Sequence, residues 1–426
     1  MSEATSTEPF RSEQHWVSPF NFEPTLVASY AFPEPLRIYD STLRKILLTP
    51  GISPPIDDLL TIADALDAVG VAAMALNIHW WGDPNPNKRE FELCKALLEA
   101  DFGFDISVYA QAAGPDPANV ITPQEAIDQV TELGVRTLEV PFQARLDPAG
   151  LETYMAELRQ TVSYAQSVGL EVVCGFGDVA RSPFEPVVAL ANEAIGLGCT
   201  RINLMDSYSS LSVDGMKLFC REFRRRLDTP VDVTMHVHND FGQASALAIT
   251  AATAGVHPDV SVNGLSYRSG LASLQEVAVA LELLYGVDTG IRLEGLQGVA
   301  DLVSRCTGLP PNPLRPLTGE HQFLRDDPEA MLDYLRDGEA AFPVSSSCIS
   351  PSVIGGQMSI VWGDRHATST IRAKLSQLGI AFSDEDVANI YNAIEREVDA
   401  RSEFPRWVTE VEVEQICRTL TAHQET

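Results

Sequence analysis

The chain has 426 residues, of which 45% are hydrophobic, enough for a sizeable core. Its 59 acidic residues exceed its 30 basic residues, which gives a formal net charge of −29. This charge argues against nucleic acid and anionic membranes as partners, and no apolar segment approaches the ~18 residues of a membrane-spanning helix. The seven cysteines include no CxxC pair, which is typical of reduced thiols in a cytoplasmic protein.

Positions 1–36 are polar and contain scattered prolines, which predicts an N-terminal arm. From residue 37 onward, short strand-like segments alternate with amphipathic segments of helical spacing. The predicted strands are RIYDST (37–42), AAMALN (72–77), FDISVYA (104–110), TLEVPF (137–142), EVVCGFG (171–177), RINLMD (201–206), DVTMHVH (232–238) and DVSVNGL (259–265). They recur at a spacing of roughly 30 residues, the length of a βα unit, and predict a (β/α)8 TIM barrel over 37–308. An open doubly wound sheet is the alternative, which the lack of a GxGxxG phosphate loop disfavours.

The alternation breaks at the proline-rich segment LPPNPLRPLTGE (309–320), which predicts a linker. We expect a linker or subdomain over 309–357 and a helical subdomain over 358–426, so that the α/β barrel carries a small α-rich C-terminal extension. Helices are predicted at 326–339, 368–380, 383–400 and 409–420.

Polar residues follow the predicted strands, where the chemistry of such barrels takes place. They include Asp40, Arg44, Lys45, His79, Asp178, Arg181, Ser207, His236, His238 and Asn263. Because positions i and i+2 of a strand face the same way, His236 and His238 are predicted to point together into the barrel mouth. Two imidazoles placed in this way can share a metal ion, and the alternative is a pair of hydrogen-bonded polar histidines.

Three segments carry a family resemblance: DSTLRK (40–45), HVHNDFGQASALAI (236–249) and VNGLSYRSGLASLQEV (262–277). They resemble the signatures of the metallolyase-type (DRE-TIM) barrels, which include 2-isopropylmalate synthase, homocitrate synthase and, more distantly, hydroxymethylglutaryl-CoA lyase. The segment IVWGDRHATSTIRAKLSQLGI (360–380) resembles a synthase subdomain that the lyases lack. The resemblance therefore implies Claisen-type condensation of an acyl-CoA, by default acetyl-CoA, with a 2-oxo acid, or cleavage of a related hydroxy acid.

The resemblance also implies roles for individual residues. A divalent metal (Zn, Mn or Mg) would be held by His236 and His238 and would polarise the substrate carbonyl, while Arg44 would stabilise an enolate oxygen. The resemblance also implies catalytic roles for Asp178 and His366 and substrate-binding roles for Arg181 and Ser207. From their positions after the predicted strands we expect Asp40, His79 and Asn263 to bind substrate, and from its place on a helix with an apolar stripe we expect Tyr391 to act in catalysis. Synthases of this type exchange C-terminal segments between subunits, so we expect a homodimer in which Tyr391 reaches across to the partner.

Several positions depart from the family pattern, and all of them fall where the family performs chemistry. Lys45 stands in place of the metal-binding aspartate, and the other departures are Leu47, Gly177 and Tyr267 for glutamates and Leu271 for an asparagine. Lys45 could replace the metal's positive charge, form a Schiff base with an oxo acid, become carbamylated and restore a carboxylate ligand, or mark a site that has lost its activity. We therefore expect an enzyme of specialised biosynthesis, a lysine-dependent aldolase-like lyase, or a non-catalytic homologue that binds a small acid.

Overall fold

The computed structural model describes residues 8–79, 87–100, 102–110, 121–143, 150–342 and 347–422. Within these ranges the chain divides into two compact units. One unit spans 20–310, and the other combines the residues before 20 with those from 311 onward. No helix in the described ranges is long and apolar enough to cross a membrane.

The first unit is a closed barrel of parallel strands, which confirms the predicted fold class. In the described part of the chain its strands are β1 (Tyr39–Asp40), β2 (Ala73–Asn77), β3 (Asp105–Tyr109), β4 (Thr137–Gln143), β5 (Glu171–Gly177), β6 (Arg201–Asp206), β7 (Asp232–Val237) and β8 (His257–Val260). Each strand pairs with the next one, and β8 pairs with β1 to close the barrel. The C-terminal ends of the strands therefore meet in a single ring.

Helices connect the strands and cover the outside of the barrel, as the amphipathic segments predicted. They are α1 (Pro24–Val27), α2 (Thr42–Leu48), α3 (Ile56–Val69), α4 (Lys88–Glu99), α5 (Pro123–Glu132), α6 (Leu151–Ser167), α7 (Phe184–Gly196), α8 (Val213–Arg225), α9 (Ala244–Thr253), α10 (Leu274–Tyr285) and α11 (Leu296–Thr307). Gly70 ends α3 in the left-handed conformation, with φ of 90°, where a Cβ atom would lie 2.6 Å from the Gly290 carbonyl oxygen. Glycine is needed at this stop for both its backbone freedom and its small size.

The eighth strand begins and ends earlier in the sequence than the predicted range of 259–265. The observed β8 begins at His257, which the sequence placed in a loop, and ends at Val260, before Asn263. Asn263 instead lies in a short 3-10 helix, Val262–Gly264, with φ of 54°. The physical reason is that β8 is short and buried along its whole length, so no polar alternation marks its start.

The second unit contains the predicted C-terminal helices. They are α12 (Pro328–Asp337), α13 (Thr368–Gln377), α14 (Asp384–Ala400) and α15 (Glu410–Thr421). Within the described residues they pack with a small sheet in the order β11 (Val408–Thr409), β10 (Ser359–Trp362) and β9 (Leu324–Arg325). Trp362 is completely buried in the shared core. Ser383 and Asp386 cap the start of α14 in a capping box.

The junction between β1 and α2 is held by the side chain of Asp40. Its carboxylate accepts hydrogen bonds from the Thr42 backbone N–H and the Thr42 hydroxyl, both at 2.7 Å. The Thr42 hydroxyl oxygen in turn accepts a hydrogen bond from the Val262 backbone N–H at 2.9 Å. Burial raises the pKa of Asp40 to about 7, although the bonds from Thr42 act in the opposite direction.

This pKa predicts how the stability of the protein depends on pH. A carboxyl group whose pKa is higher in the folded state stabilises that state most below its unfolded pKa, and the contribution is lost as pH rises through the folded pKa. We expect Asp40 to make the free energy of unfolding fall between about pH 4 and pH 7, by at most about 4 kcal/mol.

Urea unfolding followed by circular dichroism across this pH range would test the prediction with Asp40→Asn, which imitates the protonated acid. The variant should lose less stability than the native protein as pH rises. Parallel stability profiles for the two proteins would contradict the prediction.

Candidate active site at the barrel mouth

A cavity of about 420 Å³ opens where the strands of the barrel end. Its size is within the range of small-molecule sites. Its basic, imidazole and serine side chains come from four separate strand ends, and they are Arg44, Lys45, Ser207, His236, His238 and Arg268. The structure therefore brings together the predicted Arg44, Lys45, Ser207 and histidine pair.

Lys45 lies in the first turns of α2 and is 2% exposed. Its Nζ atom is 5.0 Å from the centroid of the Tyr267 ring, and no hydrogen bond or ion pair joins it to another described residue. Burial lowers the pKa of Lys45 well below its usual value, and the neighbouring Arg44 lowers it further, while Asp259 opposes these effects. The uncharged amine is therefore favoured in this site.

Arg44 is buried beside Lys45 but keeps its charge. Its guanidinium carbon lies 4.3 Å from the centroid of the Tyr109 ring. Burial lowers the pKa of Arg44, but Tyr109, Asp259 and Glu139 together raise it by more, so that the net shift is upward. Within the described part of the chain, its Nε and Nη1 atoms have no hydrogen-bond partner. Two buried guanidinium nitrogens without a hydrogen-bond acceptor are costly unless an anion enters the cavity.

His236 is oriented by Asp259, a buried residue of β8. The distance from Nδ1 to the Asp259 Oδ2 atom is 2.7 Å, and the same carboxylate accepts a 2.8 Å hydrogen bond from the Ser41 hydroxyl. Burial lowers the pKa of His236 well below its usual value, and Lys45 adds to this effect. The contact is therefore a hydrogen bond from a neutral imidazole, which leaves the lone pair on Nε2, and that atom has no partner among the described residues.

His238 lies beside His236, with 5.2 Å between the two ring centroids. Its Nδ1 atom is 3.2 Å from the Gly270 carbonyl oxygen, so Nδ1 carries the proton and Nε2 the lone pair. Burial is the main cause that lowers the pKa of His238, followed by Lys45. Both histidines are consequently neutral, with fixed tautomers.

Asp178 and Arg181 pair with each other instead of facing the cavity. Arg181 donates to both oxygens of Asp178, at 2.8 and 2.7 Å, and its guanidinium carbon lies 3.9 Å from the centroid of the Tyr208 ring. The Asp178 backbone N–H donates to the Ser207 hydroxyl at 2.9 Å. This cluster positions Ser207 and Tyr208, which do line the cavity.

Besides Arg181, three predicted substrate-binding residues do not line the cavity, and they are Asp40, His79 and Asn263. Asp40 bonds to Thr42 as described above, and the His79 Nε2 atom contacts the side chain of Gln129. Asn263 donates from Nδ2 to the Ala300 carbonyl oxygen at 3.0 Å. Their contacts with α2, α5 and α11 join helices to the barrel.

His366 and Tyr391 belong to the second unit. Their ring centroids are 4.3 Å apart. His366 is 8% exposed, and its Nδ1 atom is 2.7 Å from the Gly363 carbonyl oxygen. Their catalytic roles stay predictions.

Sequence reasoning missed Asp259, Tyr109 and Arg268. Asp259 stands next to His236 in the register of β7 with β8. A charged residue inside a short buried strand is rare unless it is paired. The aspartate in this apolar segment could therefore have indicated a buried partner from the sequence alone. Arg268 binds Asp240 through two hydrogen bonds of 3.0 Å and follows Tyr267, one of the positions that departs from the family pattern.

The residues at this site do not fit the divalent metal that the resemblance implied. A group of three His, Cys, Asp or Glu side chains placed to hold an ion does not occur among the described residues. Lys45 occupies the position of the third ligand, and its ammonium form would repel a cation. Leu271, at the position of the asparagine, offers no donor atom.

We expect Lys45→Asp to raise the affinity for Mn²⁺ or Zn²⁺ by about 100-fold or more, because a carboxylate would replace an amine beside two neutral imidazoles. Isothermal titration calorimetry measures this change. Lys45→Met is the control, because it removes the amine without adding a ligand, and its affinity should rise much less.

If the native protein bound one metal ion and Lys45→Asp left this binding unchanged, the prediction would be wrong. Lys45 would then be carbamylated or turned away from the site. Dependence of the binding on bicarbonate would identify the carbamate.

Comparison with known proteins supports the resemblance. The HMGL-like family model matches residues 35–303. An (R)-citramalate synthase of Methanocaldococcus jannaschii is 29% identical over 387 residues, which cover 91% of this chain and 75% of that protein. A homocitrate synthase of Methanothermobacter thermautotrophicus is 26% identical over 384 residues, which cover 90% of this chain and 93% of that protein.

The fold has a solved counterpart in the HMG-CoA lyase of Bacillus subtilis. The TM-score is 0.55 at 18% identity, over 67% of this chain and 97% of the lyase chain. The family match covers the strand ends that build the cavity, and the chain belongs to the HMGL-like family of barrel enzymes.

Proposed function

We propose that this protein makes or breaks a carbon–carbon bond next to the carbonyl group of a small 2-oxo acid or hydroxy acid. The observation that carries the proposal is the buried pair of Arg44 and Lys45. Both line one cavity, and neither forms a hydrogen bond or ion pair with a carboxylate in the described part of the chain. Burial of the charged Arg44 guanidinium without a bound anion is unfavourable, so a substrate carboxylate is its natural partner.

The charge distribution supports an anionic ligand. The chain carries a net charge of −29, yet among the described residues the cavity is lined by Arg44 and Arg268 and by no carboxylate. A site of opposite sign to the rest of the protein favours an acid over a cation. The cavity volume of about 420 Å³ matches a small molecule.

The relatives support the type of reaction. Two synthases align with 90% or more of this chain, whereas the B. subtilis lyase covers 67%. This difference favours a synthase-like enzyme, with an acyl-CoA such as acetyl-CoA as the second substrate. Because Lys45 replaces the metal-binding aspartate, we assign the protein to specialised biosynthesis.

We expect the native protein to bind pyruvate or a larger 2-oxo acid and Arg44→Gln to bind it about 10- to 100-fold more weakly, the cost of one or two charge-assisted hydrogen bonds. Isothermal titration calorimetry measures this difference. Arg136→Gln is the matched control, because the Arg136 side chain lies on the same barrel and is 88% exposed.

Equal weakening by the two substitutions, or no binding of any 2-oxo acid, would refute the proposal. Binding without turnover, followed as release of the CoA thiol from acetyl-CoA and as cleavage of hydroxy acids, would identify a non-catalytic homologue that binds a small acid.

We also expect a homodimer with exchanged C-terminal segments. The described residues that line the cavity belong to the unit that spans 20–310, whereas the predicted His366 and Tyr391 belong to the other unit. A dimer would allow these residues to serve a partner's barrel. Light scattering at micromolar concentration tests the prediction, and a monomer would contradict it.

A further inference from the structure

We propose that Lys45 is a covalent catalyst whose Nζ atom forms an imine with the carbonyl carbon of a 2-oxo acid. The inference rests on the proposed function, which supplies the 2-oxo acid. It narrows that function, because it assigns to a lysine the carbonyl activation that a metal would otherwise provide.

The surroundings of Nζ suit a nucleophilic amine. The side chain is 2% exposed, lines the cavity beside Leu48, Phe142 and Met205, and forms no ion pair with a described residue. A lysine that served as a fixed positive charge would be expected to have a carboxylate partner when buried. Lys374 shows this behaviour, because its buried Nζ lies 2.7 Å from Glu410.

Arg44 provides the means to position the substrate. It precedes Lys45 in α2, lines the same cavity, and has two guanidinium nitrogens without a partner among the described residues. A carboxylate bound to Arg44 would hold the adjacent carbonyl carbon close to Lys45. The attack of Nζ on the carbonyl carbon would then take place within one complex and would not require a second encounter in solution.

The two histidines provide bases with defined lone pairs. The Asp259 carboxylate accepts a hydrogen bond from the Nδ1–H of His236, and the Gly270 carbonyl oxygen accepts one from the Nδ1–H of His238. The Nε2 atom of each ring is therefore able to receive a proton. Proton transfer is needed at two points, the loss of water and the removal of a proton from C3 of the bound acid.

The covalent step balances without an oxidant, a reductant or a metal. The Nζ lone pair forms a bond to the carbonyl carbon, the C–O π electrons move to oxygen, and proton transfer followed by loss of water leaves the iminium. Loss of a C3 proton to an imidazole gives an enamine, and hydrolysis after bond formation returns the amine and a carbonyl group.

This chemistry determines which substrate is the nucleophile. If an enolate attacked the iminium carbon, it would leave a saturated C–N bond that water does not hydrolyse, and the enzyme would remain alkylated. The 2-oxo acid must therefore react through C3 as the enamine. Its partner is the carbonyl group of an aldehyde, ketone or thioester, and cleavage is the reverse reaction.

Reductive trapping tests the inference directly. The native protein is incubated with pyruvate, 2-oxobutyrate or 2-oxoisovalerate and sodium cyanoborohydride, and peptide mass spectrometry locates any reduced adduct. We expect an adduct on the peptide that contains Lys45 and none on Lys374, which is buried but ion-paired. A second readout is C3 deuterium exchange of the bound acid in D2O, which should persist in the presence of EDTA.

Two substitutions separate the roles of charge and nucleophile. Lys45→Met removes both, while Lys45→Arg keeps a positive charge that cannot form an imine. We expect both variants to lose the adduct and to lower C3 exchange at least 100-fold. Circular dichroism verifies that each variant folds. If neither variant folds, the adduct on the native protein still tests the inference.

The outcomes distinguish this inference from the proposed function. Calorimetric binding of a 2-oxo acid without an adduct on Lys45, or exchange that survives in Lys45→Arg, would overturn the imine and leave the proposed function standing. The absence of both binding and an adduct for every acid would overturn both.

Discussion

The pairing of β1 with β8 is the constraint on which the site depends. It closes the barrel and continues past the strands, where the Ser41 N–H donates to the Val260 carbonyl at 2.8 Å. The Ser41 hydroxyl then binds Asp259, and the Thr42 hydroxyl accepts from the backbone of Val262. These bonds fix the start of α2 against β8. Because Arg44 and Lys45 follow within one turn, their side chains enter the cavity in a defined orientation.

The same burial has opposite consequences for the two neighbouring basic residues. Arginine is too strong a base to lose its proton inside a protein, so Arg44 remains an anion receptor. Lysine loses its proton more readily when desolvated, and the charge of Arg44 favours this loss at Lys45. One helical turn therefore supplies a charged group for binding and a neutral group for attack. The neutral histidines that line the same cavity complete a site with both an anion receptor and bases.

The family fold is retained while the chemistry of its centre has changed. Closure of the barrel still places two imidazoles beside the turn after β1, because that placement depends on strand pairing and not on a metal. Replacement of an aspartate by Lys45 removes a carboxylate ligand, and Tyr267 introduces a ring 5.0 Å from Nζ in place of a carboxylate. The two substitutions are complementary, since a glutamate at position 267 would favour the protonated form of Lys45. A common fold thus permits different chemistry at the same strand ends.

The sequence by itself determined the barrel, the C-terminal helices and the meeting of Arg44, Lys45, His236 and His238. These features follow from local periodicity and from the rule that strand ends share one rim. Only the tertiary structure decided that Asp259 orients His236, because that contact depends on the register between β7 and β8. It also decided that Asp40, His79 and Asn263 bond away from the cavity, since strand-end position does not specify a side chain's direction. The protonation state of Lys45 was likewise decided by the tertiary structure, because a pKa depends on burial and on neighbours that are distant in sequence.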